Sequence, residues 1–219
     1  MINESLLIAL KAGLAEMGLQ VSPEKQEKLI AYLLLIHKWN MVHNLTAVRD
    51  PLEMVTLHLL DSLSVLPHIQ ALSPKNLLDV GAGAGLPSIP LAICLPDLKV
   101  VAIDAVQKKA SFMRQAKGEL GLENFHVEAG RVEALKATPK FDVIISRAFS
   151  EIDLFIKLTK HLLANDGVWL AMKGTVPHHE FEKSIVQPTE IKPLKVANLE
   201  AERHLVYLHP SIETHVFTN

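Results

Sequence analysis

A glycine-rich turn that directly follows a short apolar run constrains the fold of this chain more than any other feature. Gly81, Gly83 and Gly85 follow a run that contains a single acid, Asp79. Glycine has no Cβ, so it adopts positive φ without strain and lets a ligand approach the backbone closely. In an open α/β sheet, such a turn follows the first strand at the carboxyl edge, where ligands bind. The sequence therefore predicts a strand, a ligand-binding turn and a helix that begins at Pro87.

The order of the other elements indicates the class of fold. Beyond position 74, short apolar runs alternate with amphipathic stretches. The predicted strands cover residues 76–80, 99–104, 124–128, 141–146, 167–173 and 204–208, and the predicted helices cover 87–95, 106–120, 152–163 and 177–185. Strands that alternate with crossover helices form a mainly parallel sheet with helices on both faces. We therefore predict a doubly wound, Rossmann-like α/β fold, with a loop or an edge strand in the proline-containing stretch 188–199.

The N-terminal part of the chain is predicted to be helical. Asn3, Ser22 and Asp50 are cap residues, and the last two are followed by proline and an acid, which mark a helix start. The predicted helices cover residues 3–18, 23–41 and 51–66. His58 and Asp61 lie one turn apart on the third of these helices, and we interpret them as capping or core residues. The chain thus divides into an N-terminal helical segment, 1–72, and an α/β domain, 73–219.

Composition and charge narrow the classes of function. The 219 residues carry a net charge of −2 with histidine neutral, which excludes a basic nucleic-acid-binding arm but leaves RNA open as the partner of a local cationic surface. The lone Cys94 excludes an internal disulfide and suits a reducing cytoplasm. No apolar run approaches the ~20 residues that span a membrane, and the histidines form no H-E-x-x-H motif. We expect a cytoplasmic protein without a metal ion or a membrane partner.

The spacing of the glycines indicates the class of cofactor. A dinucleotide fingerprint needs a third glycine where Leu86 stands. The G-x-G-x-G spacing after an acid is the first motif of methyltransferases that use S-adenosylmethionine. Asp104, at the end of the second predicted strand, is placed to accept hydrogen bonds from ribose hydroxyls. Gly81, Gly83, Gly85 and Asp104 therefore predict a nucleoside cofactor, and a dehydrogenase stays as an alternative because it also has an acid at that place.

Further candidate residues follow the later predicted strands. Val132 and Glu133 follow the third strand, where such folds hold adenine, although a solvated helix start fits them equally well. Arg147 and Phe149 follow the fourth strand, at the edge that faces the transferred methyl group. Lys173 ends the fifth strand and adds a cation on the same rim. These last three side chains are placed to meet a substrate.

Several stretches together resemble one family. They are Trp-Asn at 39–40, Asn-Leu-Thr-Ala-Val-Arg at 44–49, His-Leu-Leu-Asp-Ser-Leu at 58–63, the glycine motif at 78–87, Arg-Val-Glu at 131–133, Ser-Arg-Ala-Phe at 146–149, Lys-Gly at 173–174 and Glu-Arg-His-Leu at 202–205. With them the chain resembles the bacterial ribosomal RNA small-subunit methyltransferase G family, also called glucose-inhibited division protein B. It departs from the usual pattern at Met41, Ser88 and Ala105, where lysine, glycine and serine are common.

The resemblance implies a class I methyltransferase that methylates N7 of a guanine in the helix 18 loop of 16S ribosomal RNA, within the small subunit or an assembly intermediate. The implied cofactor contacts are Gly81, Leu86, Val132, Glu133 and Arg147. The implied RNA contacts add Arg49 and Arg203 to Phe149 and Lys173.

The implied chemistry fits the absence of a catalytic acid–base motif from the sequence. Guanine N7 carries a lone pair and no proton at neutral pH, so its methylation needs alignment but no general base. Arg147 is expected to act by position, and Phe149 is placed to stack on the base. Two further alternatives stay open, a methyltransferase of small molecules or proteins and an RNA-binding assembly factor with a vestigial cofactor pocket.

Overall fold

The N-terminal third of the chain is helical, as predicted. The structure is a computed structural model and describes residues 2–147, 149, 151–176, 181, 184 and 186–210. The helices are α1 (Ile2–Glu16), α2 (Pro23–His43), α3 (Pro51–Met54), a π-helical turn (Val55–Leu60), α4 (Asp61–Leu63) and α5 (Leu66–Leu72). The Ser22 and Asp50 side chains accept hydrogen bonds from the backbone N–H groups of Lys25 and Leu52, which confirms both predicted helix starts.

The prediction of one helix from 51 to 66 is wrong in two respects. The helical backbone passes through the π-helical turn and ends at Leu63, and α5 begins at Leu66. Pro67 lies in the first turn of α5, although the sequence was interpreted as ending a helix before it. Proline is tolerated in a first turn because the N–H that it lacks has no partner there. It therefore opens a helix here.

A seven-stranded sheet forms the centre of the molecule. Its strands are β1 (Asn76–Val80), β2 (Lys99–Asp104), β3 (Phe125–Ala129), β4 (Phe141–Ser146), β5 (Leu163–Lys173), β6 (Pro188–Pro193) and β7 (His204–Leu208), in the spatial order β3-β2-β1-β4-β5-β7-β6. The first five strands are parallel, and β7 runs antiparallel to β5 and β6. The strand order reverses between β1 and β4, so the carboxyl ends of these two strands flank the place where ligands bind in such sheets.

The connections between strands follow the predicted alternation. They contain α6 (Ser88–Cys94), α7 (Gln107–Leu120), a 3₁₀ turn (Val132–Ala134) and α8 (Ile152–Thr159). The last of these ends four residues earlier than predicted, because β5 already begins at Leu163. The stretch 188–199 contains the edge strand β6, whose prolines stand at its two ends, where a missing N–H costs least. The predicted helix 177–185 falls mostly outside the described residues.

Two apolar cores cover the two faces of the sheet. Successive residues of β1 point to opposite faces, so Leu77 belongs to one core and Leu78 to the other. The core that contains Leu77 also contains Leu33 of α2 and Leu59 of the π-helical turn, so apolar packing is continuous across position 72. The division into segments 1–72 and 73–219 stays a prediction. No helix in the described part of the chain is both long and apolar enough to cross a membrane.

Candidate active site

The glycine turn is held open at its middle and packed at its end. Gly81, Gly83 and Gly85 have φ of 71°, 63° and 89°, a region that side chains disfavour. A Cβ on Gly85 would come within 2.5 Å of the Ile89 side chain, whereas a Cβ on Gly83 would meet no atom within 4 Å. The hydroxyl of the buried Tyr32 donates to the carbonyl oxygen of Ala84 at 2.6 Å and fixes the turn from α2. Gly85 is therefore needed for packing, and Gly83 faces space that a ligand can fill.

Asp104 ties the glycine turn to the end of β2. One of its carboxylate oxygens accepts the backbone N–H of Gly83 at 2.9 Å, and the other accepts that of Val106 at 2.8 Å. The residue is only 6% exposed. A carboxylate has about four lone-pair positions, so two acceptor positions are left for donors of a ligand.

Asp79, one strand away, is fully buried at the end of β1. Its Oδ2 accepts the backbone N–H of Ser88 at 3.2 Å, the first residue of α6. Burial raises the pKa of this carboxyl to about 7, although the hydrogen bonds of Ser88 and the charge of Arg147 act in the opposite direction. Asp79 therefore connects the strand before the glycine turn to the helix after it, and its charge changes near neutrality.

A first cavity of about 270 Å³ opens beside the glycine turn, and we call it the turn cavity. It brings together four of the predicted cofactor residues, Gly81, Asp104, Val132 and Glu133. Phe149 also lines the turn cavity, with its ring centroid 5.3 Å from that of Phe155. The other four predicted cofactor residues, Gly83, Gly85, Leu86 and Arg147, are not among its lining residues, and Leu86 is only 5% exposed.

A second cavity of about 410 Å³ lies at the ends of β4, β5 and β7, and we call it the cationic cavity. Three predicted site residues, Arg147, Lys173 and Arg203, line it together with Asp61. Lys173 Nζ also donates to the carbonyl oxygen of Phe149 at 3.2 Å, which connects the walls of the two cavities. Phe149 and Arg147, two positions apart in the sequence, thus line different cavities.

Asp61, which the sequence indicated only as a capping or core residue, is the centre of the cationic cavity. Its Oδ2 accepts a hydrogen bond from Arg147 Nη1 at 3.0 Å, and its Oδ1 accepts one from Arg203 Nε at 2.8 Å. Its side chain is 4% exposed. An acid in an apolar helical stretch is a sequence signal for a buried, paired charge. The sequence, however, gives no means to tell which cations pair with it.

His58 lines the cationic cavity as well, and it is neutral. Its ring Nε2 lies 3.0 Å from the hydroxyl of Thr46. Burial lowers the pKa of His58 to about 4, and the charge of Arg147 acts in the same direction. His58 therefore carries no charge at neutral pH.

The segment 44–49 forms part of the wall of the cationic cavity through Val48. Asn40 organises the segment, because its side chain donates to the carbonyl oxygen of Val48 at 3.0 Å and accepts the N–H of Thr46 at 2.9 Å. Arg49 does not line the cavity. Its guanidinium donates to the Asn40 carbonyl oxygen at 3.0 Å and to the Asn44 side chain at 2.6 Å.

The three departures from the family pattern lie in different surroundings. Ala105 lines the turn cavity, Ser88 is fully buried at the start of α6, and Met41 is 70% exposed on α2. A much larger cavity, of about 940 Å³, lies beside α8 and β5, but none of the predicted site residues lines it. Among the described residues, no group of three or more histidine, cysteine or acidic side chains could hold a metal ion.

Comparison with known proteins identifies the family. The sequence profile of the family described as rRNA small subunit methyltransferase G matches residues 25–206. The chain belongs to this family. The protein named ribosomal RNA small subunit methyltransferase G in Methylobacillus flagellatus is 62% identical over 199 residues, which cover 91% of this chain and 96% of the relative. The protein of the same name in Aromatoleum aromaticum is 51% identical over 205 residues, with 91% and 96% covered.

Solved structures agree with the fold expected of this methyltransferase G family. The O-methyltransferase TomG from Streptomyces achromogenes, in complex with SAM, has a TM-score of 0.61 and 16% identity, with 91% of this chain and 96% of that chain covered. The O-methyltransferase from Bacillus cereus, in complex with SAH, has a TM-score of 0.59 and 17% identity, with 90% and 95% covered. The prediction of a Rossmann-like class I methyltransferase fold is confirmed.

Proposed function

We propose that this chain uses S-adenosylmethionine to methylate N7 of a guanine in the helix 18 loop of 16S ribosomal RNA. The observation that carries the proposal is that Phe149 and Arg147, two positions apart in the sequence, line two cavities, one beside the glycine turn and one lined by three cations. A methyl donor in the first and a nucleotide in the second would meet at the stretch that contains Arg147 and Phe149. The names of the relatives, which are ribosomal RNA methyltransferases, support RNA as the substrate.

The residues beside the glycine turn fit S-adenosylmethionine, which supplies a methyl group activated on a sulfonium. Gly83 leaves open space for it, and Asp104 keeps acceptor positions that suit two ribose hydroxyls. Val132 and Glu133 are proposed to hold the adenine. Gly81, Gly85 and Leu86 shape the turn. The family resemblance implies that Arg147 contacts the cofactor directly. Because Arg147 lines the cationic cavity, we propose instead that it orients the reacting groups from there.

The reaction at N7 asks little of the protein beyond alignment. The N7 lone pair attacks the methyl carbon and no proton is removed, so a general base has no role. This agrees with His58, whose low pKa leaves it unable to titrate near neutrality. N7 is hidden in the deep major groove of paired RNA, so the target base must be unstacked. Phe149 is the candidate platform for it, a contact worth roughly 1–3 kcal/mol.

The RNA substrate requires cations along its path. Lys173 and Arg203 line the cationic cavity, and Arg49 lies on the neighbouring segment 44–49. We propose that these residues contact the RNA within the small ribosomal subunit or an assembly intermediate, and hence that the protein acts in the cytoplasm. Because phosphate contacts release counterions, each of them contributes to a steep salt dependence of binding.

Transfer of a tritiated methyl group tests the proposal. The acceptors are 16S RNA and small subunits from a strain that lacks the enzyme, and the modified base is then mapped. We expect label on one guanine, no transfer to 7-deazaguanine at that position, and a single-turnover rate that is flat from about pH 6.5 to 8.5 at saturating cofactor. Methylation of the deaza substrate would exclude N7. Binding of the RNA without any transfer would favour an assembly factor.

A further inference from the structure

The carboxylate of Asp61 joins three distant parts of the chain at one cavity. Asp61 begins α4, whereas Arg147 follows β4 and Arg203 precedes β7, so the two ion pairs span 86 and 142 positions of the sequence. Each oxygen of Asp61 accepts from a different guanidinium. Both arginine side chains keep partial exposure, 29% for Arg147 and 26% for Arg203, while that of Asp61 is 4% exposed. The acid therefore lies beneath two cations that face the cavity.

The charges of the Asp61 cluster, which consists of Asp61, Arg147 and Arg203, do not cancel. The two guanidinium groups carry two positive charges against the one negative charge of the carboxylate, which leaves an excess of one positive charge. His58 adds none, because its pKa is far below neutrality. Excess positive charge in a partly enclosed site attracts an anion, since a low local dielectric weakens screening.

The unused donors of the two arginines indicate which anion fits. Nη1 of Arg147 donates to Asp61 and to the carbonyl oxygen of Leu57 at 3.2 Å. Nε of Arg203 donates to Asp61, and its Nη1 donates to the carbonyl oxygen of Glu202 at 2.8 Å. Within the described part of the chain, Nη2 of each arginine has no protein acceptor. Two guanidinium edges held by one carboxylate match the several oxygens of a phosphate group.

We propose that Asp61 is a positioning residue, which holds Arg147 and Arg203 so that they bind one phosphate of the RNA strand beside the target nucleotide. The proposal rests on the proposed function for the identity of the phosphate. The geometry requires Asp61 to act through the arginines, because its own oxygens face them and the side chain is almost fully covered. A phosphate in this place would set the distance between the target base and the turn cavity.

The substitution Asp61→Asn separates positioning from simple attraction, because the two ideas predict opposite signs. The change removes a negative charge from the cavity, so attraction alone would strengthen RNA binding or leave it equal. Loss of positioning weakens binding and slows transfer in spite of the added positive charge. We expect the single-turnover rate at saturating RNA to fall at least tenfold and the RNA affinity to fall about fivefold. A rate and an affinity equal to or above those of the parent would overturn the proposal.

Matched variants control for charge and for folding. Glu16→Gln makes the same change of charge at an exposed ion pair with Lys195, and we expect rate and affinity within twofold of the parent. Asp61→Glu keeps the carboxylate and should recover part of the rate lost in Asp61→Asn. If Asp61→Asn does not fold, Arg203→Lys gives the decisive test. It keeps the charge but lacks the Nε donor, so unchanged activity and RNA affinity in that variant would overturn the proposal.

A probe that needs no enzymatic activity keeps this proposal distinct from the proposed function. Inorganic phosphate should raise the melting temperature of the parent above that in chloride at matched ionic strength, and the rise should disappear in Asp61→Asn. Equal melting temperatures of the parent in phosphate and chloride would overturn the phosphate site. Failure of the parent to methylate ribosomal RNA, with the phosphate effect intact, would instead count against the proposed function alone.

Discussion

At the scale of single residues, two carboxylates at the ends of neighbouring strands have different surroundings. Asp104 accepts two backbone N–H groups and lies against the turn cavity. Asp79 accepts one and is fully buried, and burial raises its pKa to about 7. Hydrogen-bond donors stabilise the charged form of a carboxylate, whereas loss of water destabilises it. Adjacent strand ends therefore carry acids with different roles, because Asp104 lies against a cavity and Asp79 is enclosed in the core.

We predict that Asp79→Asn stabilises the protein more at pH 8 than at pH 5. The pKa of Asp79 is higher in the folded state than its ordinary value of 3.8, so the folded state binds the proton more tightly. Its contribution to stability is therefore present at low pH and lost as pH rises towards 7. In urea unfolding, the free energy of unfolding of Asp79→Asn relative to that of the parent should increase by about 2–3 kcal/mol from pH 5 to pH 8. Asp97→Asn, an exposed change of the same kind, should show no such trend, and an equal trend in both variants would contradict the prediction.

We predict that Gly83→Val abolishes binding of S-adenosylmethionine. The position has φ of 63° and opens onto empty space, so a branched side chain would both strain the turn and occupy the place of the ligand. Calorimetry should show an affinity at least 100-fold weaker. Gly121→Val is a matched control, because Gly121 has the same φ and open surroundings at the end of α7. It should lose stability but keep the affinity, and unchanged affinity in Gly83→Val would remove the main support for the cofactor site.

At the scale of elements, the site depends on two irregular parts of the N-terminal segment. The π-helical turn Val55–Leu60 contains His58 and leads directly into Asp61, so both side chains line the cationic cavity. Turns of this type often occur at functional sites because they change which face of a helix a side chain occupies. The segment 44–49 has no regular structure over most of its length, and its backbone is held by the Asn40 side chain.

We predict that Asn40→Ala lowers the affinity for ribosomal RNA about tenfold and leaves cofactor binding unchanged. The variant deprives the carbonyl oxygen of Val48 and the N–H of Thr46 of their partners, at a cost of about 1–3 kcal/mol for each group left buried. Amide exchange at Thr46 should accelerate. Asn124→Ala is the control, since the Asn124 side chain likewise donates to backbone carbonyls, those of residues 92, 95 and 98, far from both cavities. An equal loss of RNA affinity in the control would refute a specific role for Asn40.

At the scale of the whole molecule, the N-terminal helices and the sheet are parts of one packed structure. The Tyr32 hydroxyl donates to the glycine turn, and Asp61 pairs with Arg203 at the start of β7. The hydroxyl oxygen of Tyr207 in β7 lies 2.9 Å from Nδ1 of His68 in α5. These contacts join the helical segment to the glycine turn, to the cationic cavity and to β7.

We predict that a fragment containing only residues 73–219 does not fold cooperatively. Removal of α1–α5 would uncover part of the apolar core that contains Leu77 and Ile89, and would leave Arg203 without its acid. The fragment should melt without a sigmoidal transition and bind a hydrophobic dye. The full chain should melt in a sigmoidal transition and bind no dye. A cooperative transition together with an affinity for S-adenosylmethionine within threefold of the full chain would show that the fragment is an independent domain.

The sequence by itself determined the local elements and the place of the cofactor turn. The predicted strands 76–80, 99–104, 141–146 and 204–208 have the observed bounds, because a short apolar run between turn residues carries its own signal. Gly81, Asp104, Val132 and Glu133 meet at one cavity, since parallel strands bring their carboxyl ends to one edge. The predicted helix end before Pro67 is wrong because proline is compatible with both a helix start and a helix end.

Only the tertiary structure decided which charged groups meet. Asp61 lies 86 positions from Arg147 and 142 from Arg203, and no local pattern distinguishes its partners from the other cations of the chain. Their meeting depends on the reversal of strand order beside β1, on the antiparallel insertion of β7 next to β5, and on the π-helical turn before α4. Ion pairing in a buried site depends on distance in space, whereas sequence periodicity reports only which face of its own element a side chain occupies.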